Sequence, residues 1–377
     1  MREGRRGQFS SLLLILVALI GLVVIGMFVF LTEQNITYDA KETSDEIEVI
    51  DEDEAVDTSG IETGTWAIEE FVSNLVSGGV HKDGIPAIES PTYISVGEVD
   101  FLEDEDPVFV AEIDEEVKIF PQIIMVRHEI VNDVDSHGSI SITYCPLSGS
   151  VIGYRGSFDA TGTTFGVSGN LVNSNLVLYD RETESLWPQL LGRSISGENP
   201  GTLLETFPVW WSTWAAASTA FPDAQVLSKN TGYLRSYASD PYGSYQEDDT
   251  YYTTGGPQFP MMSEDDRLAP KDVVVGVMVG MEYLAIPRSL VKERGEVTTT
   301  LNGTQVQAIW DEELGTPITS FWKEDPELLG NDPRVVSLET MWFAWSAFYP
   351  NTILYTGEEG VEDVVNSNEI TTDDQEL

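Results

Sequence analysis

The sequence predicts an α+β fold, mostly antiparallel β with a few short helices, built as two degenerate structural repeats and preceded by one transmembrane helix. Three observations carry that reading. A charge-free run opens the chain, a stretch rich in Trp, Tyr, Val and Ile lies between two acidic segments, and sets of residues recur inside that stretch at fixed offsets.

The run Phe9–Leu31, FSSLLLILVALIGLVVIGMFVFL, holds 23 residues without a charge, enough to cross a hydrocarbon core of about 30 Å at about 1.5 Å per residue. Neither an A-x-A pattern nor a lipid-bearing cysteine follows it, so it reads as an uncleaved signal anchor. Arg2, Arg5 and Arg6 precede it and acids follow it. The positive-inside rule then puts residues 1–8 in the cytoplasm and the main domain outside, in a single-pass protein of the cell membrane. Residues 32–62 read as a stalk, since Asp39–Asp57 carries ten acids and one lysine and stays extended by self-repulsion. The domain occupies 63–356, and 357–377 is a tail with eight acids and no base.

The whole chain has 64 acids against 19 bases, a formal net charge of −45. Such a surface excludes unassisted binding of nucleic acid or anionic lipid. With only seven lysines, the composition fits a halophilic, acidic proteome, in which molar salt shortens the Debye length to about 3 Å. No D-x-D-x-D-G calcium loop is present. One cysteine, Cys145, rules out an internal disulfide, and any imidazole site must draw on His81, His128 or His137.

Within the domain, VFVAEIDEEVKIFP (108–121) overlays VVVGVMVGMEYLAIP (273–287) at an offset of 166, matching Phe109 to Val275, Glu116 to Glu282 and Pro121 to Pro287. The offset continues through SITYCPLSGS (141–150) over QAIWDEELGT (307–316). TWAAASTAFPDAQVL (213–227) resembles TMWFAWSAFYPNTIL (340–354) at an offset of 128. The copies span about 100–230 and 270–356, and the change of 38 places an insertion in the first, between Val151 and Ser212. Each copy reads as a hairpin ending at Pro, a short helical or irregular stretch, a further strand, a Trp-rich helix stopped by Phe/Tyr-Pro, and a last strand. The insertion alternates apolar and polar residues, as antiparallel sheet does.

The best constellation for chemistry is RHEIVND (127–133) with TYCPLSGS (143–150). Cys145 ends an apolar strand beside Pro146, and a hairpin return brings His128 alongside. Such a pair makes a nucleophilic thiol or a soft-metal site for copper or zinc. Asn132, Asp133 and Ser148 are the nearest supports. The blander reading makes Cys145 a small core residue and His128 a structural one. At the 166 offset His128 falls on Arg294 and Cys145 on Asp311, so only the first copy has the pair. Asp180 and Arg181 sit in a charged strand-turn-strand, and Arg235 lies among the tyrosines of GYLRSYASDPYGSY as a ligand-cleft candidate. Asn35 and Asn302 begin glycosylation sequons. P-loop, H-E-x-x-H, C-x-x-C and G-x-S-x-G motifs are absent.

KDGIPAIESP, RHEIVND, TYCPLSGS, FGVSGNLVNSNLVLYDRETESLWPQLLG, GYLRSY and ETMWFAWSAFYPNT together resemble a prokaryotic domain-of-unknown-function family, number 3179, over about residues 70–356. The resemblance implies secreted or membrane-attached proteins without an established activity. Family members often resemble CPLCG where this chain has Cys145-Pro146-Leu147-Ser148, so a two-cysteine redox cycle has no second sulfur here. Two readings stand: a metal or thiol site at Cys145 and His128, or a non-catalytic envelope scaffold or interaction domain with a buried, inert Cys145. Neither an enzymatic reaction nor a protein partner is specified by any motif.

Overall fold

The computed structural model describes residues 66–156, 162–198, 200–322 and 335–357. The apolar run 9–31, the stalk, Asn35 and the acidic tail beyond 357 lie outside them. Among the described residues no helix is long and apolar enough to cross a membrane.

Helix α1 (Ile68–Ser73) and strands β1 (Val76–Ser77) and β2 (Tyr93–Ser95) come first. The first copy follows as β3 (Pro107–Ile113), β4 (Glu116–Pro121), α2 (Gln122–His128), β5 (Ile130–Asp135), β6 (Gly138–Cys145) and β7 (Ser150–Arg155). Next come β8 (Phe165–Val172), β9 (Asn175–Asp180), β10 (Leu186–Pro188), β11 (Thr206–Phe207), β12 (Trp210–Thr213), α3 (Trp214–Ala220) and β13 (Gln225–Leu227). The second copy is β14 (Val273–Val279), β15 (Glu282–Pro287), α4 (Arg288–Arg294), β16 (Glu296–Leu301), β17 (Thr304–Asp311), β18 (Thr316–Trp322), β19 (Val335–Met341), α5 (Trp342–Phe348) and β20 (Ile353–Leu354). Each element from β14 to β17 starts and ends 166 residues after its counterpart from β3 to β6, and α5 lies 128 residues after α3.

Local chemistry sets these boundaries. Asp114-Glu115, Asn173-Ser174 and Asn302-Gly303 all have positive φ at both positions. Each pair closes a two-residue hairpin whose twist suits the flanking strands. Pro121 and Pro287 cap α2 and α4, and both helices end at a left-handed residue, Glu129 (φ 59°) or Gly295 (φ 76°). Thr213 caps α3 by accepting from the Ala216 N–H.

Five small sheets result, with strand orders β12-β3-β4-β13-β2, β11-β7-β6-β5, β1-β8-β9-β10, β19-β14-β15-β20 and β16-β17-β18. Each copy supplies two, and the insertion supplies the fifth. This corrects the α+β expectation: the fold is all-β, a five-bladed β-propeller. Its helices have six or seven residues, about 10 Å of rise, too short to form a layer over a sheet. Sheet faces cover one another instead, and the helices fill the joints. The largest apolar cluster joins α1, the insertion sheet and α5 through Phe71, Phe165, Trp187, Trp342, Trp345 and Phe348.

One joint differs instructively between the copies. A Cβ on Gly276 of β14 would lie 2.3 Å from the Trp345 ring of α5. The corresponding residues of the first copy, Val110 and Ala217, share one apolar cluster. A glycine facing a tryptophan stands where the first copy has a valine facing an alanine, so the strand residue is smaller where the helix residue is larger.

Candidate functional site

Cys145 is the last residue of β6 and pairs with Ser150, the first of β7. The intervening turn needs a left-handed Gly149 (φ 62°), as its counterpart needs Gly315 (φ 67°). Cys145 is 2 % exposed. Burial pushes its thiol pKa up and the nearby Glu129 adds to the rise, against opposing hydrogen bonds from Ser148 and the Leu176 backbone. Ser148 belongs to a buried network that ties the insertion to the first copy. Its Oγ lies 2.8 Å from Ser150 Oγ and accepts from Asn175 Nδ2 at 2.9 Å. Ser150 donates to Gln189 Oε1 at 2.6 Å, and Gln189 Nε2 donates to the Thr143 carbonyl at 3.1 Å.

His128, the last residue of α2, is fully buried. Its Nδ1 donates to the Pro86 carbonyl at 2.8 Å, and Tyr237 Oη donates to Nε2 at 2.7 Å. Thr231 completes the chain to Tyr237 at 2.7 Å, and the Tyr233 ring lies 5.4 Å away. Burial lowers the imidazole pKa, which keeps the ring neutral. Both nitrogens are therefore committed to protein groups, and neither is left for a metal or for the Cys145 thiol.

The other candidates separate into local structural roles. Asn132 accepts from Ser141 Oγ (2.6 Å) and the Phe165 N–H (3.1 Å), and donates to the Phe165 carbonyl (2.8 Å). Asp133 receives Tyr93 Oη and Lys118 Nζ, each at 2.6 Å. Asp180 is buried and holds its turn by accepting from Trp187 Nε1 at 2.9 Å and from the Thr183 N–H at 2.6 Å. Arg181 pairs with Asp83 and Glu89. Arg235 is exposed and reaches the Gly84 carbonyl at 3.3 Å. Asn302 is exposed at its turn, whereas Thr304 of the same sequon is buried.

Two titratable groups near Cys145 escaped the sequence reading. Glu129 is buried, and burial raises its carboxyl to about 8. Its signal was the match to Gly295 at the 166 offset, where a charged residue in a left-handed cap is unexpected. Lys271 Nζ is buried without a hydrogen-bond partner, 3.2 Å above the Tyr251 ring and 5.1 Å from Phe343. Burial lowers its ammonium to about 7, while Cys145 works weakly the other way. Nothing local in the sequence marks it. Beside them, Tyr144, Tyr245, Tyr252, Gln122 and Asp240 form a second buried network, with Tyr245 and Tyr252 stacked at 3.7 Å.

One group among the described residues brings three metal-capable side chains together: Asp114, Asp135 and His137, with ligand atoms within 4.8 Å of one another. They sit at the β3–β4 and β5–β6 hairpin tips. Asp114 already accepts from the Ser136 N–H and Oγ, and Asp135 pairs with Arg155. Burial raises the Asp135 carboxyl, but Arg155 and the turn N–H groups outweigh it and hold the pKa low. Existing partners thus satisfy these carboxylates as an ordinary turn network.

No curated protein and no solved structure matches the chain significantly. A family model described as a protein of unknown function, DUF3179, matches residues 82–352, from the segment between β1 and β2 to the residue before β20. The chain belongs to the DUF3179 family.

Proposed function

We propose that this is a membrane-held, extracytoplasmic binding or scaffold module in which Cys145 is a closed core residue, not a metal or thiol centre. The supporting observation is the state of its two reactive side chains: a thiol 2 % exposed with a raised pKa, and an imidazole with both nitrogens occupied. Reactive cysteines sit in electropositive, partly exposed surroundings with a lowered pKa, and a copper or zinc ligand needs a free lone pair. Neither condition is met here. The anchor rests on the charge-free run 9–31 and the arginines before it. With 64 acids against 19 bases, the favoured partners are cationic or neutral rather than nucleic acid or anionic lipid.

The test uses the full chain purified in molar salt beside Cys145→Ala. We expect no stoichiometric copper or zinc in either, and a thiol that reacts with a maleimide only after unfolding. Metal lost in the variant, or rapid thiol labelling of the folded parent, would overturn the reading. In the same preparation the parent should partition with membranes and a deletion of residues 9–31 should not.

A further inference from the structure

In so acidic a chain a carboxylate-lined groove is expected from composition and is not by itself a site. One groove has more. It encloses about 330 Å³ between the segment before β3, the start of α2 and the β13–β14 connection, and Gln122, 3 % exposed, belongs to its wall. Gln122 Nε2 donates to Asp240 Oδ2 at 2.7 Å and to Tyr144 Oη at 3.1 Å. A carboxylate only accepts, so the atom against Asp240 is the nitrogen, which fixes the place of the oxygen. That oxygen, Oε1, has no hydrogen-bond partner among the described residues, yet it is not one of the sealed side-chain atoms left without one. A nearly buried amide therefore presents an unused acceptor to the groove, and an incoming donor offsets its desolvation.

The surroundings select a cationic donor. Glu103, Asp106 and Asp240 line the groove, and no lysine or arginine does. Asp106 uses Oδ2 to accept the Glu103 N–H at 2.9 Å, while its Oδ1 and the Glu103 carboxylate have no partner among the described residues. Arg127 is held by the Ser239 carbonyl at 2.6 Å, and Lys229 pairs with Asp100. Phe101 and Tyr245 add aromatic rings to the wall, which also attract a cation. The second copy shows what fits here. At the 166 offset Gln122 falls on Arg288 and Tyr144 on Trp310. The Arg288 guanidinium lies 4.9 Å from the Trp310 ring, with Nε donating to Glu339 at 2.5 Å. The second copy thus carries its own guanidinium at a position where the first has a neutral amide beside an acidic groove.

We infer that this groove binds small organic cations bearing N–H donors, guanidinium compounds above all. One N–H donates to Gln122 Oε1 and the others to the carboxylates of Asp106 and Glu103, while a short hydrocarbon stem lies along Phe101 and Ile123. Charge alone would admit any cation, whereas the unused amide oxygen asks for a donor. The inference deepens the binding reading and rests on it, giving the favoured cationic partner a place and a chemical class.

The experiment titrates the full chain with butylguanidinium in molar KCl, where screening suppresses diffuse attraction to the surface, and reads heat of binding by calorimetry. We expect saturable binding of one molecule per chain. Tetramethylammonium, equal in charge but without N–H groups, should bind at least about tenfold more weakly, the worth of a hydrogen bond to a charged group. Asp106→Asn should weaken butylguanidinium about tenfold, while Glu293→Gln, an equal charge change at an exposed site on α4, should leave it unchanged. Gln122→Met should narrow the preference over tetramethylammonium. If that variant misfolds, the parent's preference and the two acid variants still decide. No saturable binding to the folded parent, equal binding of the two cations, or equal losses in both acid variants would each overturn the inference. Acetyl-arginine amide separates the sources of the group: binding equal to butylguanidinium assigns an arginine side chain of a protein, and none assigns a free small cation. Thiol labelling of Cys145 and membrane partitioning are read separately, so a silent groove with a masked thiol leaves the scaffold reading intact.

Discussion

Glu129 and Gly295 do the same conformational work in the two copies and show what one residue adds. Each ends a seven-residue helix in the left-handed region, where any residue with a Cβ costs about 1–2 kcal/mol more than glycine. Glu129 also brings a carboxyl into the interior, and burial raises its pKa from 4.5 to about 8. The folded state therefore binds a proton that the unfolded state has already released between these values. The resulting stabilisation is complete below about pH 4.5 and is lost as pH rises through about 8. Lys271 opposes this above neutrality: its folded pKa is lowered to about 7 from 10.5, so its contribution grows as pH rises. Comparison with Glu129→Gln isolates the carboxyl. Relative to the parent, the variant should gain unfolding free energy between pH 5 and pH 9 in urea titrations. A difference that stays flat across that range would sink the assignment. Cys145 and His128 were legible as candidates because their residue types are rare here. Their true partners were not, since Pro86 and Tyr237 lie 42 and 109 residues from His128 and no local pattern encodes such contacts.

At the scale of elements, the duplication was readable because its signals are local: apolar strands, hairpin residues and a proline before the first short helix of each copy. The fold class was not. Whether strands belong to one sheet or five depends on distant pairings, such as Trp210 of β12 with Val110 of β3. The Trp-rich helices fall where the sequence placed them, the stretches read as short helical or irregular are α2 and α4, and α1 had no signal; the brevity of all five decides the class. The exchanged joint gives a test of the duplication as a packing relation. Gly276→Val alone drives a side chain into Trp345 and should cost more than about 3 kcal/mol, beyond the common overpacking range because the overlap is with a fixed ring. Trp345→Ala alone opens a cavity and should cost about 3–5 kcal/mol. The double variant recreates the Val110–Ala217 pairing of the first copy. Its loss should fall well short of the sum of the single losses in denaturant unfolding. Strict additivity would show that the two positions are not one packing unit.

Across the whole molecule, the net charge of −45 sets a condition that no single contact relieves. Among the described residues, ion pairs such as Arg155–Asp135, Lys118–Asp133 and Arg288–Glu339 bring the scarce cations against largely buried acids. Most acids have no cation to meet, because the bases are too few. Their repulsion is long-ranged in dilute buffer, where the Debye length is about 10 Å at 0.1 M, and is largely confined to touching neighbours at about 3 Å in 1 M salt. Unfolding moves the acids apart, so weak screening favours the unfolded chain. The unfolding temperature should rise steeply between 0.1 and 1 M KCl and more gently above it, when screening is nearly complete and only strengthened apolar burial still acts. NaCl should match KCl at equal ionic strength, because screening depends on charge rather than ion identity. A midpoint already at its plateau in 0.1 M salt would mean that the acids are spaced widely enough to tolerate one another. A strong difference between the two cations would instead point to specific ion sites, with the Asp114, Asp135 and His137 turn cluster the first place to look.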